Sequence, residues 1–121
     1  MITDERELRR ETWERYFDAL SGELFNSEIS IEVLDAAGPR GFEARRLALQ
    51  TLAYDRRDDS FEIAGAHGTA HLPSILRHVV EHPRRIAVDS AVNMAPTTIV
   101  VDDDVGTRTL VRIERPGAFE G

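Results

Sequence analysis

Apolar residues near the start of the chain recur every three or four positions, which predicts one amphipathic helix over about residues 4–21. Asp4 followed by Glu7 resembles a capping box at its start, and Ser21-Gly22 supplies a stop signal. Aromatic residues at helical spacing usually belong to a core, so we interpret this face as packed inside the protein. The predicted inward face consists of Leu8, Trp13, Tyr16, Phe17 and Leu20.

From Ile29 onward, apolar and polar positions alternate, which is the pattern of half-buried β-strands. Within residues 42–54 the apolar positions change parity twice, so a regular strand cannot bury all of them on one face. We therefore predict bulges or bends near residues 45–46 and 50–51. Bending of this kind curls a sheet toward a small barrel.

Turn residues divide the rest of the chain into short strands. They predict turns at residues 38–41 and 55–59 and a loop around Gly65 and Gly68. Residues 71–82 fit a helix of about ten residues or an alternating strand equally well. Strands around Phe61, Ile63, Ile86 and Val88 and a closing hairpin with strands at residues 98–101 and 107–113 complete the pattern.

The predicted fold class is therefore α+β, with an N-terminal helix packed on a strongly bent antiparallel meander of six to seven strands that is small-barrel-like. We expect a single domain over residues 1–121, with the sheet over about residues 28–115 and a flexible tail at residues 116–121.

Composition excludes several classes of protein. The 121 residues contain no cysteine, which removes disulfides, thiolate catalysis and cysteine-ligated zinc. No apolar stretch approaches the length of a membrane span, and the charged start MITDERELRRE lacks the apolar segment of a secretory signal. We therefore expect a cytoplasmic protein that does not associate with a membrane.

Charge argues against nucleic acid as a partner. The chain has 15 basic and 22 acidic residues, so its net charge of −7 repels phosphate. An RNA-binding small barrel remains an alternative if the arginine doublets converge on one face in the fold. The doublets are Arg9/Arg10, Arg45/Arg46, Arg56/Arg57 and Arg84/Arg85.

All four histidines lie close together in the sequence, as His67, His71, His78 and His82. Histidines four residues apart share a metal ion on a helix, but in a strand they lie roughly 13 Å apart. A metal-binding or enzymatic protein that uses this cluster is an alternative function, with His78 and His82 as weak metal candidates. We expect no metal and no cofactor.

Five parts of the sequence together resemble a family of short uncharacterised bacterial proteins, domain of unknown function 5335. A motif of that family with histidine and proline five positions apart matches His78 and Pro83, and the fit favours the strand for residues 71–82. The sequence departs from the family at residues 64–73. The resemblance implies an order of elements and no activity. It rests on the helix aromatics Trp13, Tyr16 and Phe17, IEVLD at 31–35, LALQTLAYDRRDDSFEI at 47–63, HVVEHPRRIAV at 78–88 and DDDVGTRTLVRIE at 102–114.

No catalytic motif occurs in the chain, so we assign no catalytic residue and expect a non-enzymatic interaction or oligomerisation module. Its partner would be a second copy or another protein, bound by an unpaired strand edge or by the aromatic helix face. Polar or amphipathic residues that flank the predicted bent strands suggest where a ligand or partner surface would lie. These are Tyr54, Arg56, His78 and Arg84.

Overall fold

The computed structural model describes residues 5–35, 38–68, 73–90 and 95–115, so the predicted tail and Asp4 lie outside the described residues. Within these ranges it has one α-helix, α1 (Trp13–Glu23), preceded by a 3-10 turn (Arg10–Thr12). The same ranges contain eight strands. They are β1 (Arg6–Glu7), β2 (Glu28–Asp35), β3 (Gly38–Asp55), β4 (Ser60–Gly68), β5 (Pro73–Glu81), β6 (Pro83–Val88), β7 (Thr98–Asp103) and β8 (Arg108–Arg115).

The helix starts later than the apolar spacing predicts. The residues before Trp13 do not continue it, because Arg6 and Glu7 form β1 and pair with the end of β6, and the Leu8 amide donates to the Ile86 carbonyl at 2.8 Å. Backbone groups of residues 6–8 therefore form hydrogen bonds with β6, whereas the helical spacing predicted that they would lie in the first turns of the helix. The predicted inward face is confirmed for Leu8, Trp13, Phe17 and Leu20, which are buried, while Tyr16 is partly buried against this core.

The strands form one antiparallel sheet in the order β1-β6-β7-β8-β2-β3-β4-β5. Three parts of the predicted fold are therefore wrong. The described residues contain eight strands rather than six or seven, and in those residues the sheet is open, since β1 and β5 each pair on one side only. The order is not a simple meander either, because β2 lies between β3 and β8.

The connection from β5 to β6 shows that the open sheet is strongly coiled. In a flat sheet, the six steps of the strand order from β6 to β5 would separate these strands by about 29 Å. One residue, His82, joins them, and two consecutive Cα steps reach at most about 7.6 Å. The two ends of the sheet must therefore approach each other at His82, which has a left-handed φ of 56°.

Both predicted bulges in the long strand are confirmed. Against β2 the register shifts between Ala44 and Leu47, and Arg46 lies at a positive φ of 58°. Against β4 it shifts between Leu49 and Thr51, so that Gln50 is the extra residue. Each shift restores apolar residues to the inner face, which is the physical reason for the parity changes in the sequence.

The loop predicted around Gly65 and Gly68 and the turn predicted at residues 38–41 are wrong, because these residues belong to β4 and β3. Gly65 marks a close approach between strands: a Cβ atom there would lie 2.8 Å from the Cβ of Leu47. Glycine at this point thus reflects packing rather than a break in the strand. Residues 73–81 are a strand, as the family resemblance suggested.

The core lies between α1 and the inner face of the coiled sheet, with β3 as the strand that α1 packs against most extensively. Aromatic rings make edge contacts there, with Phe17 and Phe61 at 4.8 Å between centroids and Trp13 and Tyr54 at 5.0 Å. This packing fixes the end of β3 beside the start of α1, where the polar residues described next lie.

Candidate functional site

The four residues suggested as a ligand or partner surface lie in different settings. Tyr54 is buried at the end of β3, and Arg56, in the following turn, has its Nε 3.7 Å from Glu14. His78 is half-buried on β5 opposite Ile63, and Arg84 is exposed on β6. That these four act together as one surface stays a prediction.

Tyr54 belongs instead to a polar cluster that spans the point where the sheet ends meet, which we name the junction cluster: Arg10, Tyr54, Asp59 and His82. The Tyr54 hydroxyl donates to Asp59 at 2.6 Å and accepts from the Arg10 guanidinium at 3.1 Å. Asp59 also lies 3.2 Å from the His82 Nδ1 atom and 3.3 Å from Arg10. The cluster therefore connects the 3-10 turn, the end of β3, the β3–β4 turn and the β5–β6 junction.

Backbone groups strengthen the same connection. The His82 amide donates to the Asp59 carbonyl at 2.8 Å, and Arg10 donates to the Pro83 carbonyl at 2.8 Å. The Arg10 guanidinium carbon also lies 4.5 Å from the centre of the Trp13 ring, a cation–π geometry. Arg10 thereby holds the beginning of β6 against the helix start.

The pKa shifts in the junction cluster favour a charged Asp59, a neutral Tyr54 and a protonated His82. The hydrogen bond from Tyr54 is the largest cause of the lowered pKa of Asp59, with His82 and Arg10 adding to it. Burial, followed by the bond to Asp59, raises the pKa of Tyr54. The bond to Asp59 raises the pKa of His82. Asp59 and Tyr54 are thus poorly suited to proton transfer near neutral pH. Their hydrogen bonds hold together segments that are far apart in the chain.

A groove of about 740 Å³ lies beside the junction cluster on the outer face of β3, β4 and β5. The cross-strand row of Ala53, Glu62 and Val79 is part of its lining. Acidic side chains outnumber basic ones in it. Its charged lining residues are Glu14, Asp55, Asp58, Glu62, Arg77, Glu81 and His82.

The outer face of β5 continues from this groove and is unusually apolar for an exposed strand. Ile75 is 57% exposed and Val79 is 43% exposed. Between them, the Arg77 guanidinium donates to Glu62 on β4 at 2.7 Å. Among the described residues, β5 is hydrogen-bonded to β4 alone, so its other edge has no partner in the ladder, although β5 also contacts β7.

The direction of the free peptide groups of β5 follows from the ladder. Because the His82 amide bonds to Asp59, the next pair, Ser60 with Glu81, is a non-hydrogen-bonded pair. Because hydrogen-bonded and non-hydrogen-bonded pairs alternate along the ladder, the N–H and C=O groups of the even-numbered residues of β5 point toward β4. The N–H and C=O groups of Ile75, Arg77 and Val79 consequently point toward the open edge. We call this edge, with the side chains of Ile75, Arg77 and Val79, the β5 edge.

Comparison with known proteins places the chain among relatives. The model of a family of unknown function, DUF5335, matches residues 4–120. An uncharacterised protein of Aquifex aeolicus (strain VF5) is 37% identical over 105 residues, covering 87% of each chain. The chain belongs to the DUF5335 family. No solved structure matches it.

Membership of DUF5335 confirms the family resemblance and supplies no activity. The histidines, on which the metal alternative depends, are spread along the fold. His67 lies opposite Ser74, His78 lies opposite Ile63, and His82 lies at the junction, while His71 is outside the described residues. In the part of the chain that the structure describes, no three histidine, aspartate or glutamate side chains are grouped to hold a metal ion.

The arginine doublets of this DUF5335 chain are engaged internally. Each doublet has at least one member within 4 Å of a carboxylate of the same chain. The ion pairs are Arg9–Glu11, Arg10–Asp59, Arg46–Glu28, Arg56–Glu14 and Arg85 with Glu5, Glu7 and Asp102.

Among the described residues there is no helix with the length and apolar character needed to cross a bilayer.

Sequence reasoning found Tyr54 and named His82 only as a metal candidate, and it missed Arg10 and Asp59 as their partners. The polar run at residues 55–59 indicated a turn but not its contacts, because those partners lie up to 49 positions apart. The β5 edge did have a signal. Ile75, Arg77 and Val79 alternate with Leu76 and His78, as expected for the two faces of a strand.

Proposed function

We propose that the chain is a non-enzymatic interaction or oligomerisation module that binds a β-strand of its partner along the β5 edge. One observation carries the proposal: a nine-residue edge strand exposes Ile75 and Val79 beside peptide groups that point away from the sheet. An added strand gains affinity from main-chain hydrogen bonds and specificity from alternate side chains. The β5 edge offers both.

Natural proteins usually protect an open edge with charges, prolines or short strands, because it otherwise pairs with other chains. β5 has Pro73 at its start and Arg77 in its middle. On the outer face of the strand, however, the neighbours of Arg77 are the exposed apolar residues Ile75 and Val79. An exposed apolar edge that persists in a folded protein is typical of an interaction surface.

The competing surface, the aromatic face of the helix, is used in the core. Trp13 and Phe17 are buried against the sheet, so they are not accessible to a partner. The polar groups of the junction cluster bond one another and link distant parts of the chain, which supports a structural role for them. These contrasts favour the β5 edge as the binding surface.

A direct test uses the full chain with ¹⁵N labelling and three eight-residue peptides that have valine at alternate positions and glutamate, lysine or threonine between. We expect at least one peptide to bind, with the largest amide shifts at Ile75, Arg77 and Val79. The matched control is Val79→Lys, which we expect to keep the fold because Val79 is 43% exposed, and which places a charge on the same face. Saturable binding elsewhere, unchanged by Val79→Lys, would refute this site.

A further inference from the structure

We infer that the partner is a second copy of this chain, with the two β5 strands antiparallel about a two-fold axis at Arg77. Ile75 of each copy then lies opposite Val79 of the other. This inference rests on the proposed function, because it names the strand that the β5 edge receives.

Backbone geometry restricts the possible registers to half of them. The odd-numbered residues of β5 present their N–H and C=O groups to the open edge, as the bond between His82 and Asp59 establishes. A second β5 strand forms hydrogen-bonded pairs only when its own odd-numbered residues face them. The axis therefore passes through a single residue position, and both outward faces lie on the same side of the joined sheet.

The apolar residues select one register among those that remain. With the axis at Arg77, each Ile75 lies opposite a Val79, and both exposed side chains are covered. With the axis at His78, Ile75 lies opposite Glu81, and with the axis at Leu76 it lies opposite Arg77. Both neighbouring registers set an apolar side chain against a charge, which costs the packing that cross-strand pairs supply.

Charge is compatible with the axis at Arg77. Two arginines meet there, and facing like charges alone would destabilise the pairing. Each Arg77 is however bonded at 2.7 Å to Glu62 of its own copy, so the two-fold axis carries two cations and two carboxylates with a sum of zero. The centre of the pairing is thus neutral, although each chain carries a net charge of −7.

The same pairing does not extend beyond two chains. A two-fold pairing uses the β5 edge of both copies, and Pro73 limits the ladder because it has no N–H to donate to Glu81 of the other copy. The opposite edge strand, β1, has two residues, both charged. The pairing therefore predicts a dimer and not a fibre.

Cysteine cross-linking tests the register directly, because the chain has no cysteine of its own. Residues that form a hydrogen-bonded antiparallel pair have Cα atoms about 5.5 Å apart, within disulfide range. We expect Arg77→Cys to cross-link with itself under mild oxidation, and Ile75→Cys to cross-link with Val79→Cys. Neither Ile75→Cys nor Val79→Cys should cross-link with itself. Efficient self-linking of Val79→Cys would overturn the register.

The mass of the particle tests the partner. Light scattering of the wild-type chain should give twice 13.6 kDa. Val79→Lys should give a single chain, since lysine would lie opposite Ile75 of the second copy. The control is Val105→Lys, at a valine that is 77% exposed in the β7–β8 turn, and it should leave the mass doubled. Circular dichroism establishes that both variants are folded.

Failures of the two proposals are distinguishable. A chain that stays monomeric to about 1 mM, while the valine peptides still shift the amides of the β5 edge, refutes self-pairing and keeps strand binding. A monomeric chain that binds none of the peptides refutes both. A dimer that persists in Val79→Lys, with no cross-link at Arg77, places the interface elsewhere and refutes self-pairing, and the peptide titration then decides strand binding separately.

Discussion

The two edges of the sheet are treated in opposite ways. β1 has two charged residues, and Arg85 of the adjacent β6 pairs with Glu5 and Glu7 at 3.3 Å, which surrounds this edge with charge. β5 has nine residues and exposes Ile75 and Val79. One edge is therefore short and fully charged, whereas the other is long and has an exposed apolar side chain on each side of Arg77.

This difference separates the tasks of the two ends of the sheet. At the β1 edge, the N-terminal segment pairs with β6 and continues into the junction cluster and the buried Trp13. We therefore expect substitutions there to lower the free energy of unfolding. At the β5 edge, side chains are exposed and contribute little to the stability of one chain. We expect changes there to alter association instead. Four substitutions test this division, in order of decreasing effect.

The largest effect is expected from Trp13→Ala. Trp13 is 1% exposed, its indole N–H donates to the Leu8 carbonyl at 3.2 Å, and its ring packs on Tyr54. The loss should lower the free energy of unfolding by about 3–5 kcal/mol, measured by urea denaturation. Ile75→Ala, measured on the monomer, should change it by less than about 0.5 kcal/mol. Equal costs for the two variants would remove the contrast between the ends.

A second test asks how closely β4, the strand that supports β5, packs against β3. Gly65→Ala would place a Cβ atom 2.8 Å from the Cβ of Leu47, and such overpacking should cost about 1–3 kcal/mol. The matched control is Gly22→Ala in α1, where no atom lies within 4 Å and alanine should stabilise the helix by up to about 1 kcal/mol. A neutral Gly65→Ala would show that β3 and β4 separate at little cost.

Tyr54→Phe tests the junction cluster by removing one hydroxyl and no ring. The hydroxyl bonds Asp59 at 2.6 Å and Arg10 at 3.1 Å, so its loss should lower the free energy of unfolding by about 1–2 kcal/mol. The pKa of Asp59 should rise toward its ordinary value, because its largest lowering cause disappears. Carboxyl NMR titration measures this. An unchanged titration of Asp59 would contradict the described bond.

The smallest effect is expected from pH. Asp59 raises the pKa of His82 above its ordinary 6.5, so this bond stabilises the fold fully below that pH and is lost as pH rises through the raised pKa. Urea unfolding between about pH 6 and pH 9 should therefore show a decline in the wild type that His82→Asn lacks. The pKa of Asp59 is lowered, so its contribution to stability is complete above its ordinary 3.8 and is lost as pH falls from there through the lowered pKa. Parallel profiles for the two chains would exclude His82 as the cause.

Predictability differed between local and distant features. Parity alone located two of the bulges of β3, because each side chain must alternate faces and an extra residue is the simplest correction. The start of the helix was misplaced, since its capping signal competes with pairing between β1 and β6, some eighty positions away. The glycine in β4 was mistaken for a loop because its true cause, the side chain of Leu47, lies on another strand.

The candidate sites show the same limit. Tyr54 stood out as an amphipathic residue at a strand end, but nothing local joined it to Arg10, 44 positions away. The exposed row of β5 was visible as alternation, yet alternation does not say which face is buried or whether a strand lies at an edge. Strand order is a property of the whole sheet.

The sequence by itself determined the helix aromatics as core, the strand character of most of the chain, the bends of β3 and the family, because each follows from local periodicity or from similarity along the chain. The tertiary structure decided which strands are edges, that one edge is protected and the other exposed, and that Arg10, Tyr54, Asp59 and His82 meet. These features depend on contacts between residues far apart in the chain. Such contacts arise only when one cooperative core brings the ends of a coiled sheet together.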